Sequence, residues 1–197
     1  KKYDGVLVPG GFGTTGVDGK LKVIEYIRKN KIPYFGICYG LQLAVTESVR
    51  NVAKFKDVTA AEFVKVHKGA KRFVVDIMDD QKAKLAERDM GGTMRLGEYK
   101  AVLTKGSLAA KAYGGTSISE RHRHRYEVNN EFVPILEKHG LVFSGMSPDG
   151  NLMEVVELPK EDHPFFMAVQ FHPEFKARPL SPHPLFTAFV KASYESS

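Results

Sequence analysis

Ile32-Pro33-Tyr34-Phe35-Gly36-Ile37-Cys38-Tyr39-Gly40-Leu41-Gln42 is the stretch that decides the fold. Its apolar first half predicts a buried strand, and Leu41, Ala44, Val45, Val49 and Val52 then recur on one face of a helix. A strand therefore feeds straight into a helix, with Cys38 at the junction and a glycine on either side of it. This is the arrangement of a nucleophile elbow, in which glycines let the chain turn sharply and leave the central side chain standing above the sheet edge. The helix N-terminus behind Cys38 is expected to lower the thiol pKa and favour the thiolate. The N–H of Tyr39 faces a developing oxyanion, with a second donor needed from another loop. A lone cysteine in other settings is a small, inert core residue; the bracketing glycines favour the nucleophile.

Outward from the elbow, strands and helices alternate. Gly5-Val6-Leu7-Val8 reads as a buried strand ending at Pro9-Gly10-Gly11, and Asp18 is placed to cap a helix carrying Leu21, Ile24 and Ile27 up to Asn30. Strand, helix, strand and helix in succession predict a parallel sheet covered by helices. Downstream, 72–78 reads as a strand and the charged stretch Asp79 to Asp89 as a solvated, mobile loop. Val133 and Leu136 before Gly140 suggest a short helix. The runs 141–146 and 152–158, joined by Ser147-Pro148-Asp149-Gly150-Asn151, predict a hairpin. Phe165 to Phe171 is the last strand, and Leu185, Ala188, Phe189 and Ala192 mark the last helix. With no repeat, linker or low-complexity tract, residues 1–197 read as one α/β domain.

Composition narrows the function classes. The 197 residues carry 29 Lys+Arg against 23 Asp+Glu, a formal charge of +6, and a single Cys. One cysteine excludes an internal disulfide or a CxxC site and suits a reducing compartment. No apolar run approaches the roughly 18–20 residues that span a bilayer. Gly11-Phe12-Gly13-Thr14-Thr15-Gly16 satisfies G-x-G-x-x-G literally, but a dinucleotide site needs an acid at the end of the next strand, where Cys38 stands instead. What remains informative is Gly10-Gly11, a tight turn able to aim backbone N–H groups into a site.

A thiol nucleophile needs a base and a group that orients the base. His172-Pro173-Glu174 follows the last strand, which brings His172 to the same sheet edge as Cys38 if the two strands run parallel; Glu174 then fixes the imidazole tautomer. Neither tripeptide nor elbow is specific alone, and together they form a Cys–His–Glu triad. Arg121-His122-Arg123-His124-Arg125-Tyr126 admits several readings. Nucleic-acid binding expects more stacking aromatics than the one Tyr126. A metal on His122 and His124 is disfavoured by three neighbouring cations. A solvated edge strand, or one Arg turned inward to hold an anion, remains.

Pro9-Gly10-Gly11-Phe12-Gly13, the Gly36 to Gln42 segment and Phe171-His172-Pro173-Glu174-Phe175 resemble the three signatures of class I glutamine amidotransferases. Gly91-Gly92-Thr93-Met94-Arg95-Leu96-Gly97, the run Glu120 to Asn129 and Gln170 to Phe175 resemble, more narrowly, the CTP synthase family, and the likeness extends from Gly5 to Ala192. The resemblance implies a mixed, largely parallel central sheet flanked by helices. It implies a glutaminase in which Cys38 attacks the carboxamide of L-glutamine to form a glutamyl thioester. His172 would serve the leaving ammonia and then the water, oriented by Glu174. The N–H groups of Gly11 and Tyr39 would form the oxyanion hole. Phe12, Gly40, Leu41 and Gln42 would line the substrate, with Glu62 and Arg125 on its ammonium and carboxylate. An amino-acid head needs one counter-charge of each sign.

The same resemblance implies no metal or cofactor in this domain. It assigns ATP and Mg2+ to a synthetase domain of the same polypeptide, GTP to activation, a homotetramer to the full-length enzyme and a cytoplasmic setting, without nucleic-acid or membrane partners. Position 39 departs from the family, which commonly has Leu there; the backbone donor survives and the surface beside it changes. Only eight residues precede Pro9, where the family has a further strand and helix. The chain is therefore expected to be incomplete at its front and to lack the synthetase domain. A cysteine hydrolase of the same elbow architecture, acting on another amide or an ester, is the rival reading.

Overall fold

A computed structural model describes residues 3–77 and 94–196. The chain runs β1 (Val6–Val8), α1 (Val17–Lys29), β2 (Tyr34–Ile37), α2 (Tyr39–Glu47), β3 (Val58–Ala60), β4 (Arg72–Ile77), β5 (Arg95–Leu103), α3 (Leu108–Tyr113), β6 (Ser117–His124) and β7 (Tyr126–Val128). It continues through α4 (Val133–Lys138), β8 (Val142–Met146), β9 (Met153–Glu157), β10 (Phe166–Val169) and α5 (Pro184–Glu195). A seven-stranded sheet has the order β1-β2-β10-β9-β8-β5-β6, and β3-β4-β7 form a smaller sheet.

The large sheet is mixed, as the resemblance implies, with two parallel pairings and four antiparallel ones among the described residues, so the parallel character expected of it is confined to one end. Its parallel part is β1, β2 and β10; α1 makes the crossover from β1 to β2, the chain enters β10 from its antiparallel neighbour β9, and this part carries the Cys and His segments. From β10 outward every pairing is antiparallel; between β8 and β9 the short connection 147–152 permits nothing else. Alternation along β2 and β10 then sorts the core. Tyr34, Phe166 and Ala168 face a cluster with α1 and α2, while Phe35, Ile37, Met167 and Val169 face the opposite cluster with α3 and α5. Tyr34 stacks on Phe166 with ring centroids 4.7 Å apart on the first face.

Several boundaries differ from the sequence reading. Gly16, in the left-handed region at φ 69°, occupies the cap of α1 and no side chain caps it; Asp18 lies in the first turn, its Oδ1 3.0 Å from His67 Nε2. The last strand is Phe166–Val169, and the chain leaves it as the Gln170 N–H crosses to the Glu154 carbonyl. The stretch Asp79 to Asp89, and Gly91-Gly92-Thr93 of the family-like segment, lie outside the described residues. The basic run forms the end of β6, an outer strand of the sheet, but only half of it is solvated: Arg121 and Arg123 are exposed, whereas His122 and His124 are buried.

Candidate active site

Cys38 occupies a backbone conformation that side-chain-bearing residues seldom take, φ 50° and ψ −97°. Such strain persists only where the surroundings over-determine it. Here they do. A Cβ on Gly36 would lie 2.9 Å from both Ala168 Cβ and the Gly40 carbonyl carbon, and one on Gly40 would lie 2.6 Å from the Val8 oxygen. The turn is pinned further by Cys38 N–H donating to Val169 O (2.6 Å) and by the buried Tyr34 hydroxyl donating to Gly40 O (2.9 Å).

The register of β2 on β10 pairs Ile37 with Val169, so the residues just beyond, Cys38 and Gln170, leave the sheet side by side. Gln170 is fully buried, and its Nε2 donates to Cys38 Sγ at 3.7 Å. His172 follows two residues on, its N–H held by Arg121 O at 2.8 Å and its ring stacked on Phe175 at 4.8 Å. His172 Nδ1 and Glu174 Oε1 are 2.6 Å apart. A proton between them leaves Nε2 as the basic atom. That Nε2 is buried and has no hydrogen-bond partner among the described residues.

Cys38 and His172 line one cavity of about 710 Å3, together with Gly11, Phe12, Gln42, Glu62 and Arg125. Glu174 stands behind the imidazole, its side chain 41% exposed. Gly40 packs against β1, and Leu41 and Tyr39 are buried in the core cluster on the α2 face, so these three do not line the cavity wall. Tyr39 reaches the site by another route. Its hydroxyl donates to the Gly13 carbonyl, while Glu62 Oε1 accepts the Gly13 N–H at 2.6 Å.

The electrostatics reverse one expectation. Burial pushes the Cys38 thiol up to about 12, against the lowering pull of the Tyr39 N–H, and the carboxylates of Glu174, Glu127 and Glu62 push the same way. The helix N-terminus does not win: at 4% exposure the loss of water outweighs it. Cys38 rests as a thiol. Glu62 is also raised above the ordinary carboxyl range by burial, with the Gly13 N–H opposing.

Around the site lies a polar cluster that sequence reading missed. Arg95 Nη1 pairs with Glu154 Oε1 at 2.6 Å and lies 3.5 Å from Glu127 Oε1; His124 Nε2 is 2.7 Å from the same Glu127 oxygen. His122 Nε2 is 3.7 Å from Glu154 Oε2. Burial first, then Glu127, pushes Glu154 up to about 7 despite Arg95. Burial, with the charges of Arg95, His124 and His172, pushes His122 down to about 2. The available signal was the acid Glu154 inside the apolar run Met153 to Val156, and Gln170 at the end of another. No group of three His, Cys, Asp or Glu among the described residues is placed to hold a metal ion.

Residues 1–192 match the family model described as Glutamine amidotransferase class-I. The chain belongs to that family. Among curated proteins it is 52% identical over 203 residues to a CTP synthase of Rhizobium etli, covering all of this chain and 36% of that protein. It is 56% identical over 191 residues to a CTP synthase of Rhodococcus jostii, covering 96% of this chain and 32% of the relative. It thus spans about a third of the length of these curated relatives. Among solved structures, the glutaminase domain of Trypanosoma brucei CTPS with bound acivicin superposes with a TM-score of 0.87 at 40% identity, over 98% of this chain and 72% of the other. A glutamine amido transferase from Methylobacillus Flagellatus, at 12% identity and a TM-score of 0.52 over 96% of this chain and 73% of the other, shares the fold.

Proposed function

We propose that this amidotransferase chain hydrolyses L-glutamine and is the ammonia-producing part of a CTP synthase. The observation that carries the reading is the strained Cys38 sharing one cavity with a His172 whose Nδ1 is held by Glu174. As Sγ attacks the γ-carboxamide carbon, the Cys38 proton moves to His172 Nε2. The tetrahedral oxyanion meets the N–H groups of Gly11 and Tyr39. Its collapse breaks the C–N bond, His172 gives the proton to the departing ammonia, and a glutamyl thioester remains on Cys38. His172 next takes a proton from water as the water attacks the thioester. The second tetrahedral species expels the sulfur, which recovers the proton, and glutamate leaves. A thiol raised to about 12 fits this scheme, because the thiolate forms only when a substrate carbon awaits it.

Glu62 and Arg125, of opposite charge and lining the same cavity, suit the ammonium and carboxylate of a free amino acid, and Gln42 adds a polar contact one turn into α2. This pair favours glutamine over a peptide or ester substrate. Acivicin in the trypanosomal domain, 40% identical, agrees with an amino-acid site. The length of the CTP synthase relatives supports a synthetase domain in the same polypeptide that uses the ammonia, with ATP and Mg2+, to convert UTP to CTP. GTP activation, a homotetramer and a cytoplasmic setting accompany that reading. No helix among the described residues is long and apolar enough to cross a membrane. The test is glutamate release from glutamine by the full-length polypeptide and by Cys38→Ala. Activity abolished by the substitution is expected, and full activity in the variant contradicts the triad.

A further inference from the structure

The loop that supplies Gly11 to the oxyanion hole has little to hold it. Residues 9–13 form no helix or strand and make no backbone–backbone hydrogen bond among the described residues. A backbone N–H stabilises an oxyanion only if it is already in place when the charge develops. Something else must fix this loop, and the contacts around Gly13 identify it. The Tyr39 hydroxyl donates to the Gly13 carbonyl, and Glu62 accepts the N–H of the same residue at 2.6 Å. Both polar groups of Gly13, which sits at φ 77°, are therefore taken by side chains from two other elements.

The Tyr39 ring is built in from several sides. It is 2% exposed and meets the Phe63 ring edge-on at 5.4 Å. Gly11 lies beside the side chain, where a Cβ would be 3.6 Å from Cδ1. Lys20 Nζ, from the first turn of α1, lies 5.2 Å from the ring centre and donates to Thr15 O at 3.0 Å in the stretch before that helix. Phe63 and Glu62 belong to one 3-10 turn, so a single element supports the ring and holds the other side of Gly13.

We propose that the Tyr39 side chain is a positioning residue: its hydroxyl and the Glu62 carboxylate clamp Gly13 and hold the Gly11 N–H over Cys38. Tyr39 thus acts twice, through its own N–H at the oxyanion and through its hydroxyl on the loop that carries the second donor. A leucine at this position keeps the first role and has no group for the second. The clamp also links the two ends of the substrate. Glu62 faces the cavity where the ammonium is read, and the tyrosine keeps the loop seated when that carboxylate turns to its ligand.

The inference rests on the glutaminase reading for its consequence, though not for its geometry. Tyr39→Phe removes one oxygen and leaves the ring contacts, and it is to be measured in the full-length polypeptide. The kcat for glutamine hydrolysis is expected to fall about tenfold, short of the roughly 10²–10³ lost with an oxyanion donor itself. KM should stay within about twofold, since the groups reading the amino-acid head are untouched. Hydrogen–deuterium exchange at the amides of residues 10–13 should rise by about tenfold. Tyr39→Leu should repeat both effects. A kcat within about twofold of the parent, or loop exchange unchanged in both variants, overturns the clamp. A parent that releases no glutamate defeats the glutaminase reading, and the exchange measurement still judges the clamp by itself.

Discussion

Gly10 carries no side chain where a Cβ would stand 2.7 Å from His172 Cε1. The imidazole is held on its other side by Glu174 and Phe175, so Gly10→Ala must displace either the loop or the base. A displacement approaching about 1 Å at a reacting group costs up to about 10²-fold in rate. Gly10→Ala is therefore expected to lower kcat by about tenfold or more, read by steady-state glutamate release, with the fold intact by circular dichroism. Gln170→Leu removes the N–H that points at sulfur and should cost about 1 kcal/mol of transition-state stabilisation, roughly a fivefold loss of kcat/KM. Cys38, His172 and Glu174 could be singled out as the proposed triad because elbow glycines and a His-Pro-Glu tripeptide are local patterns. The thiol's acidity was not, because it depends on how deeply β10 and the polar cluster bury Cys38. Gln170 escaped notice for the same reason: only the β2–β10 register shows what it touches.

Between elements, the Arg28–Glu47 pair joins α1 to the last residue of α2, the elbow helix. Arg28 Nε and Nη2 donate to the two Glu47 oxygens at 2.9 and 2.6 Å, and the Glu47 side chain is fully buried. Breaking such a pair leaves one charge uncompensated and costs about 3 kcal/mol. Glu47→Ala should lower the unfolding free energy by about that amount in urea titrations, and Arg28→Met together with Glu47→Leu should recover most of it. Helices α1, α2, α4 and α5 and the β8–β9 hairpin were legible from periodicity and from turn residues at 147–151, whereas α3, six residues long, was not read. The start of α1 was not, since a left-handed Gly16 does the capping expected of Asp18. The basic run shows a second limit. Alternation along β6 turns the arginines at 121 and 123 outward and the histidines at 122 and 124 inward, and composition alone averages the two faces.

At the scale of the molecule, the buried cluster ties stability to pH. His122 packs against Arg95 and Tyr99 of β5, Glu154 of β9, Phe171 and its neighbour His124. Pushed down to about 2, it stays neutral in the fold while the unfolded chain takes up a proton near 6.5. The unfolded state then binds more protons, so stability falls as pH drops below about 6.5, by up to about 1.4 kcal/mol per unit from this group. Glu154, pushed up to about 7, contributes with the opposite sign, losing stability as pH rises from 4.5 to 7. Comparing His122→Gln with the parent cancels the Glu154 contribution. The variant is expected to lose less stability between about pH 6.5 and 4.5, read as Tm against pH; parallel curves contradict a neutral buried His122.

The sequence implied a domain of this kind because its parallel strands, which carry Cys38 and His172, are also its most apolar segments. Beyond the β8–β9 hairpin, the antiparallel half and the buried ion cluster depend on long-range pairing that no short window contains. A glutamine-specific thiol at Cys38 can be trapped directly. An electrophilic glutamine analogue is added to the full-length polypeptide with and without excess glutamine, and the adduct is located by mass spectrometry. One adduct is expected, on Cys38, suppressed by glutamine. An adduct elsewhere, or one on Cys38 that glutamine leaves undiminished, contradicts it.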